Sequence, residues 1–198
     1  MTKKPERVSA NPKPVESIDF WRQRIYKTVA QGGMLHQVIY DNSYDVWNYL
    51  QSETAGLLRR HLWKDQPLPR QSVRVLDAGC GYGALLCCFQ QANLPVRYTG
   101  VDISPDLIEL AELRYCSGFA DLWTGSFSVA DLKALPFVNG GFDWCVARSV
   151  EGMILENVGR EAWNAMFTEM RRVARRVMLL DYPEKVEDKM NVEIHKGS

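Results

Sequence analysis

Apolar positions divide the 198-residue chain into an aromatic-rich helical front and a longer stretch in which short apolar runs alternate with helical patterns. In the front, Ile18, Trp21, Ile25 and Val29 form one stripe and predict a helix capped by Ser17, ending after Gln31 at Gly32-Gly33. Val46, Trp47, Leu50, Leu57, Leu58 and Leu62 predict a second helix over 44–63, and Pro67 and Pro69 then break the chain. Five strand-like runs follow: Val73 to Leu76, Val96 to Ile103, Gly125 to Val129, Phe142 to Val150 and Val177 to Asp181. Between them, helices are predicted from Ala84, from Pro105 with Ser104 as N-cap, and over 160–175, where Trp163, Met166, Phe167, Met170 and Val173 share a face. Strands alternating with helices indicate an α/β protein with a parallel sheet.

The richest stretch joins the first strand to its helix: Asp77-Ala78-Gly79-Cys80-Gly81-Tyr82-Gly83. Glycines there let a ligand approach the backbone closely, and N–H groups at the helix start offer partial positive charge. Two cofactor classes use such a turn. Gly79, Gly81 and Ala84 satisfy the G-x-G-x-x-A dinucleotide pattern, with Asp102 at the spacing of a ribose contact. Asp77 argues the other way, because a carboxylate two residues before the first glycine repels a pyrophosphate and attracts a cofactor bearing an ammonium and a sulfonium. A glycine turn that holds no ligand is the third reading.

The string Asp77 to Gly83 resembles the first motif of class I S-adenosylmethionine-dependent methyltransferases, and the resemblance extends over about Ser72 to Tyr182. It implies a doubly wound, Rossmann-like α/β sheet with a 3-2-1-4-5 core and a helical N-terminal cap. It also implies that Asp77, Gly79, Cys80 and Gly81 border the donor, and that Asp102, with Ile103 beside it, accepts hydrogen bonds from the ribose diol. Asp131 and the Leu132 N–H would read the adenine, although Asp131 also suits a turn cap. Arg148 and Tyr44 are expected near the cofactor. Tyr40 and Glu151 are the candidates on the acceptor side, Glu151 equally suiting a helix start. The Phe142-Asp143 pair resembles the start of the family's fourth motif, without the Asn-Pro-Pro-Tyr type of sequence of enzymes that methylate bases or glutamine.

Composition narrows the alternatives. Lys plus Arg and Asp plus Glu both number 24, so no overall basic field recruits nucleic acid. The basic cluster Arg171, Arg172, Arg175 and Arg176 is read as complementing a helix C-terminus. Cys80, Cys87, Cys88, Cys116 and Cys145 form no C-x-x-C pair and read as reduced cytoplasmic thiols, with no structural zinc site and no metal ligand set. No run reaches the ~18 apolar residues of a membrane span, and the proline-containing, basic opening lacks a signal-peptide core.

The organisation expected is a disordered tail over 1–16, a helical cap over 17–66 and an S-adenosylmethionine-binding domain over 67–198. After Asp181 the one strand-like run, Met190 to His195, is too little for a complete terminal hairpin. The fifth-strand edge would then be covered by residues 191–195, by a second copy in a homodimer, or by a partner protein. Methyl transfer to a small molecule is the function the resemblance implies. A non-catalytic methyltransferase-like partner subunit and an NAD-dependent oxidoreductase are the alternatives.

Overall fold

Residues 75–78 and 144–148 are buried without interruption, so β1 (Val73–Ala78) and β4 (Trp144–Arg148) belong at the centre of a sheet covered on both faces. A computed structural model of the chain describes residues 52–63, 73–115, 124–181 and 190–197 and places both strands there. The other strands are β2 (Val96–Asp102), β3 (Thr124–Val129), β5 (Arg176–Asp181) and β6 (Asn191–Lys196), and the sheet order is β3-β2-β1-β4-β5-β6. The neighbouring pairs from β3 across to β5 are parallel, in the expected 3-2-1-4-5 order. Strand order reverses between β1 and β4, which opens a crevice at their C-terminal ends. The predicted 1–16 tail, the 17–31 helix, Tyr40 and Tyr44 lie outside the described residues.

Helices cover each face. On one, α1 (Ala84–Gln91), α2 (Pro105–Tyr115) and the helical segment 52–63 bring Leu58, Leu85, Phe89 and Ile108 against Val75, Tyr98, Val146 and Met178. On the other, α3 (Glu151–Asn157) and α4 (Arg160–Val173) bring Ile154, Trp163, Met166 and Met170 against Leu76, Val101, Cys145 and Val177. The end of the predicted 44–63 helix therefore packs into the main core through Ala55 and Leu58, with a π-helical last turn at Arg59–Trp63. The start of α2 follows its sequence signals: Ser104 Oγ accepts the Leu107 N–H at 3.4 Å, and Pro105 opens the helix.

Of the three covers expected for the β5 edge the first is found: residues 191–195 lie in β6, which pairs antiparallel with β5 along its whole length, Arg176 opposite Lys196 and Asp181 opposite Asn191. Covering that edge thus requires neither a homodimer nor a partner protein. One expectation changes, and it concerns the arginines. Helix α4 stops at Val173 because Ala174 is extended (φ −129°) and bridges to Phe142, so Arg175 and Arg176 do not belong to the helix C-terminus. Arg176 instead lies 5.3 Å over the Trp144 ring, while Arg172 donates to the Leu135 and Phe137 carbonyls at 2.9 and 2.8 Å and pairs with Glu169. Leu135 and Phe137 are thereby anchored in the core under α4, Phe137 edge-on to Phe142 at 5.0 Å.

At the N-terminal edge of the sheet, Asp143 joins β1 to the entrance of β4. Its carboxylate accepts the Arg74 backbone N–H at 3.0 Å and the Arg74 guanidinium at 3.1 and 3.3 Å, with Arg175 at 3.8 Å.

Candidate functional site

The crevice is bordered by what leaves the C-terminal ends of the strands: the glycine turn after β1, Asp102 at the end of β2, Asp131 after β3, and residues 149–151 after β4. Gly79, Gly81 and Gly83 all have positive φ, at +75°, +53° and +81°. A β-carbon at position 79 would also lie 2.8 Å from Val150 Cγ2, so only glycine lets the turn close against the β4 exit.

The turn is bound to β2 through its own amides. The Gly79 and Cys80 N–H groups both donate to the Val101 carbonyl at 2.9 Å, Gly81 N–H donates to Asp102 Oδ2 at 2.9 Å, and Gly83 N–H donates to the Cys80 carbonyl at 3.0 Å. Anion-binding turns work by aiming free N–H groups at the ligand. Here four of those groups are already taken by protein oxygens. The carboxylates of Asp77 and Asp102 stand beside them.

Asp77 is buried at 2% exposure and accepts the Tyr98 hydroxyl at 2.5 Å. Burial pushes its carboxyl up to about 7, against the pull of the Tyr98 hydrogen bond and the Arg148 charge, with Asp102 adding repulsion. Asp102 clasps the turn: besides Gly81, its Oδ1 accepts the Ser104 N–H at 3.0 Å. Burial raises this carboxyl too, opposed by the N–H groups of Ser104, Gly81 and Ile103. Cys80 is buried within the turn, and burial together with Asp77 and Asp102 pushes its thiol well up, so it stays protonated.

The remaining predicted residues fall in distinct places. Asp131 Oδ1 accepts the Lys133 N–H at 2.8 Å, which is the turn-cap geometry, and Oδ2 lies 3.8 Å from Lys133 Nζ. Leu132 is buried in the core under α3 and α4. Ile103 is half-buried between Asp102 and the α2 cap. Arg148 is not displayed at the crevice surface; it is 6% exposed and donates to Cys88 Sγ at 3.4 Å under α1. Glu151 opens α3 at the crevice edge, and its carboxyl is raised by burial and by the charges of Asp181 and Glu193, against Arg160 and His195.

Tyr98 was not singled out from sequence, and its bond to Asp77 depends on the β1–β2 register. Ser149 falls at the ligand edge of the fourth strand in sequence, but its backbone conformation was not foreseen. Ser149 takes a positive φ of +57° at the β4 exit, tied by its N–H to the Leu180 carbonyl at 2.7 Å, and its buried hydroxyl has no partner among the described residues. Strained backbone of this kind concentrates at functional sites. No residue-type signal marks it, since serine carries no preference for that conformation.

Comparison with known proteins agrees with the fold. Residues 75–176 match the family described as Methyltransferase domain. Demethylmenaquinone methyltransferase of Thermus thermophilus is 30% identical over 100 residues, 50% of this chain and 44% of that protein. The biotin biosynthesis bifunctional protein BioHC of Saccharophagus degradans is 30% identical over 133 residues, 67% of this chain and 21% of that protein. The chain spans less than half the length of the curated relatives it matches. Among solved structures, magnesium protoporphyrin IX methyltransferase from Synechocystis PCC 6803 shares the fold, with a TM-score of 0.58 and 23% identity over 84% of this chain and 76% of that one. No helix among the described residues is long and apolar enough to cross a membrane.

Proposed function

The chain belongs to the methyltransferase domain family, and from that membership we propose that it binds S-adenosylmethionine in the crevice between the β1 and β4 exits and transfers its methyl group to a small-molecule acceptor. The observation that carries this reading is the charge of the crevice. Asp77 and Asp102 stand behind a turn in which the Gly79, Cys80, Gly81 and Gly83 N–H groups already have protein acceptors, which suits a donor bearing an ammonium and a sulfonium and leaves a diphosphate fewer amides to neutralise it.

In this reading Gly79, Cys80 and Gly81 offer backbone to the donor, and Asp102 uses its remaining lone pairs for the ribose diol while holding the turn. Asp131 and the Leu132 N–H meet the adenine, with Ile103 packing beside it. Arg148 serves from underneath, as the counter-charge of Asp77. Tyr44 and Tyr40 would approach from the preceding helices. Transfer to a nucleophile is an in-line displacement on an already activated sulfonium, so the protein's task is to align donor and acceptor and exclude water. Glu151, with its carboxyl raised by burial and two like charges, is the group assigned to accept or orient the acceptor's proton. The relatives named above act, by their names, on demethylmenaquinone and on a magnesium porphyrin, and both are in keeping with a small-molecule acceptor here.

Incubating the purified chain with methyl-labelled S-adenosylmethionine and a panel of quinols, acids, amines and phenols tests this directly. Label transfer above the uncatalysed rate to any acceptor is the expected result. Tight donor binding with no transfer across the panel would favour the non-catalytic partner subunit.

A further inference from the structure

Tyr98 and Asp77 meet because of strand register. Asp77 is opposite Gly100, so Tyr98, two residues earlier on β2, lies on the same face of the sheet. The Tyr98 ring is held by Phe89 from α1 at 6.5 Å and by Phe127 from β3 at 5.5 Å. Gly100 adds no side chain to this space, where a β-carbon would lie 2.8 Å from Phe127 Cδ1 and 2.9 Å from Cys80 Sγ. The hydroxyl therefore reaches Asp77 on a ring that packing has fixed in advance.

Other groups act on Asp77 from every neighbouring element. Arg148 attracts it from β4, the strand on the opposite side of β1 from Tyr98. Asp102 repels it from the end of β2. The thiols of Cys80 in the turn, Cys88 on α1 and Cys145 on β4 are all pushed up by burial and remain neutral.

Resting on the reading that the crevice takes a cation-bearing methyl donor, we propose that Tyr98 is a positioning residue of the donor site: its hydroxyl, together with the Arg148 guanidinium, holds the Asp77 carboxylate in place and in the charged form that the donor requires. A hydrogen bond donated to a carboxylate favours the anion, whereas burial favours the acid. With Asp77 pushed up to about 7, the two influences are close to balance at neutral pH, and losing the hydroxyl tips the balance towards the neutral acid. Donor affinity then becomes pH-dependent in a way set by a side chain that need not touch the donor.

Tyr98→Phe keeps the ring and its packing and removes only the hydroxyl. S-adenosylmethionine is titrated calorimetrically against wild type and variant from pH 6 to pH 9, and the ratio of the two Kd values at each pH cancels titration of the ligand itself. If the variant's Asp77 titrates about one unit higher, the ratio is about tenfold at pH 6 and falls towards one at pH 9. In an Asp77→Asn background the same substitution should change nothing. A ratio constant with pH, or an equal loss in the Asp77→Asn background, would mean that the hydroxyl acts only on structure and would overturn the proposal. The carboxylate NMR shift of Asp77 in the ligand-free protein separates this from the functional reading. A raised midpoint in Tyr98→Phe upholds the coupling even if S-adenosylmethionine does not bind, and an unmoved midpoint refutes it even if the donor binds tightly.

Discussion

The two ends of the sheet treat their carboxylates in opposite ways. At the N-terminal edge Asp143 is partly exposed and clasped by two arginines. Burial pushes its carboxyl up, but the hydrogen bonds from Arg74 and the charges of Arg74 and Arg175 outweigh this and hold it below the ordinary carboxylate range. At the C-terminal edge Asp77, Asp102, Glu151 and Asp181 are all raised, with burial the leading cause for each. An acid matched to cations fastens strands together. Acids gathered where burial disfavours their charge cost stability, and such a cost is sustained where a ligand brings the missing positive charge. The same residue type thus serves cohesion at one end and, in the proposed reading, recognition at the other.

Substitutions at the two ends should separate the roles. Asp102→Ala is expected to have the largest effect, because it strips the acceptors from the Gly81 and Ser104 N–H groups and removes the proposed ribose contact. Unfolding in urea should show a loss of about 2–4 kcal/mol, and donor affinity should fall at least tenfold, about 1.4 kcal/mol. Unchanged stability would show that Asp102 does not hold the turn. Asp77→Asn should weaken S-adenosylmethionine by about 2 kcal/mol at pH 8. It should also flatten the pH dependence of folding. Asp77 binds its proton more tightly folded than unfolded, so its stabilising contribution is complete below about pH 4 and is lost as pH rises through about 7. Melts of wild type and variant between pH 5 and pH 8 would reveal whether that slope disappears.

At the opposite end the signs reverse. Asp143→Asn should cost about 1 kcal/mol at neutral pH, allowing for solvent screening at a site about a third exposed. Its carboxyl is lowered, so this stabilisation is present at neutral pH and lost as pH falls below about 4. Donor affinity should stay at the wild-type value, and a tenfold loss would break the division between the two ends. Arg175→Ala should have the smallest effect, under about 0.5 kcal/mol in a urea melt, since that side chain is 71% exposed and its pair is 3.8 Å long.

Local signals made most of the scaffold legible. Strand-like runs located β1 to β5, Ser104-Pro105 marked the start of α2, and the glycine spacing marked the turn, because each is written within a few consecutive residues. Asp77 and Asp102 were marked as candidate site residues by their position relative to that turn. Features that depend on distant pairing were not legible. Tyr98 meets Asp77 only through the β1–β2 register; β6 was legible as the strand-like run 190–195, but its pairing with β5 was one of three options for that edge. The end of α4 was overrun because neither glycine nor proline marks it; the bridge from Ala174 to Phe142 ends the helix instead. The clasp between Asp102 and the Gly81 amide shows a limit of motif reading, since the same carboxylate that suits a ribose also builds the turn.

The central claim is that the crevice beside the glycine turn is negative and selects a cationic methyl donor over a diphosphate. Calorimetric titration of the purified chain at pH 8 with S-adenosylmethionine and with NADH, side by side, addresses it most directly. Micromolar binding of S-adenosylmethionine with no detectable binding of NADH is the predicted result. Saturable NADH binding in the absence of any response to S-adenosylmethionine would contradict it.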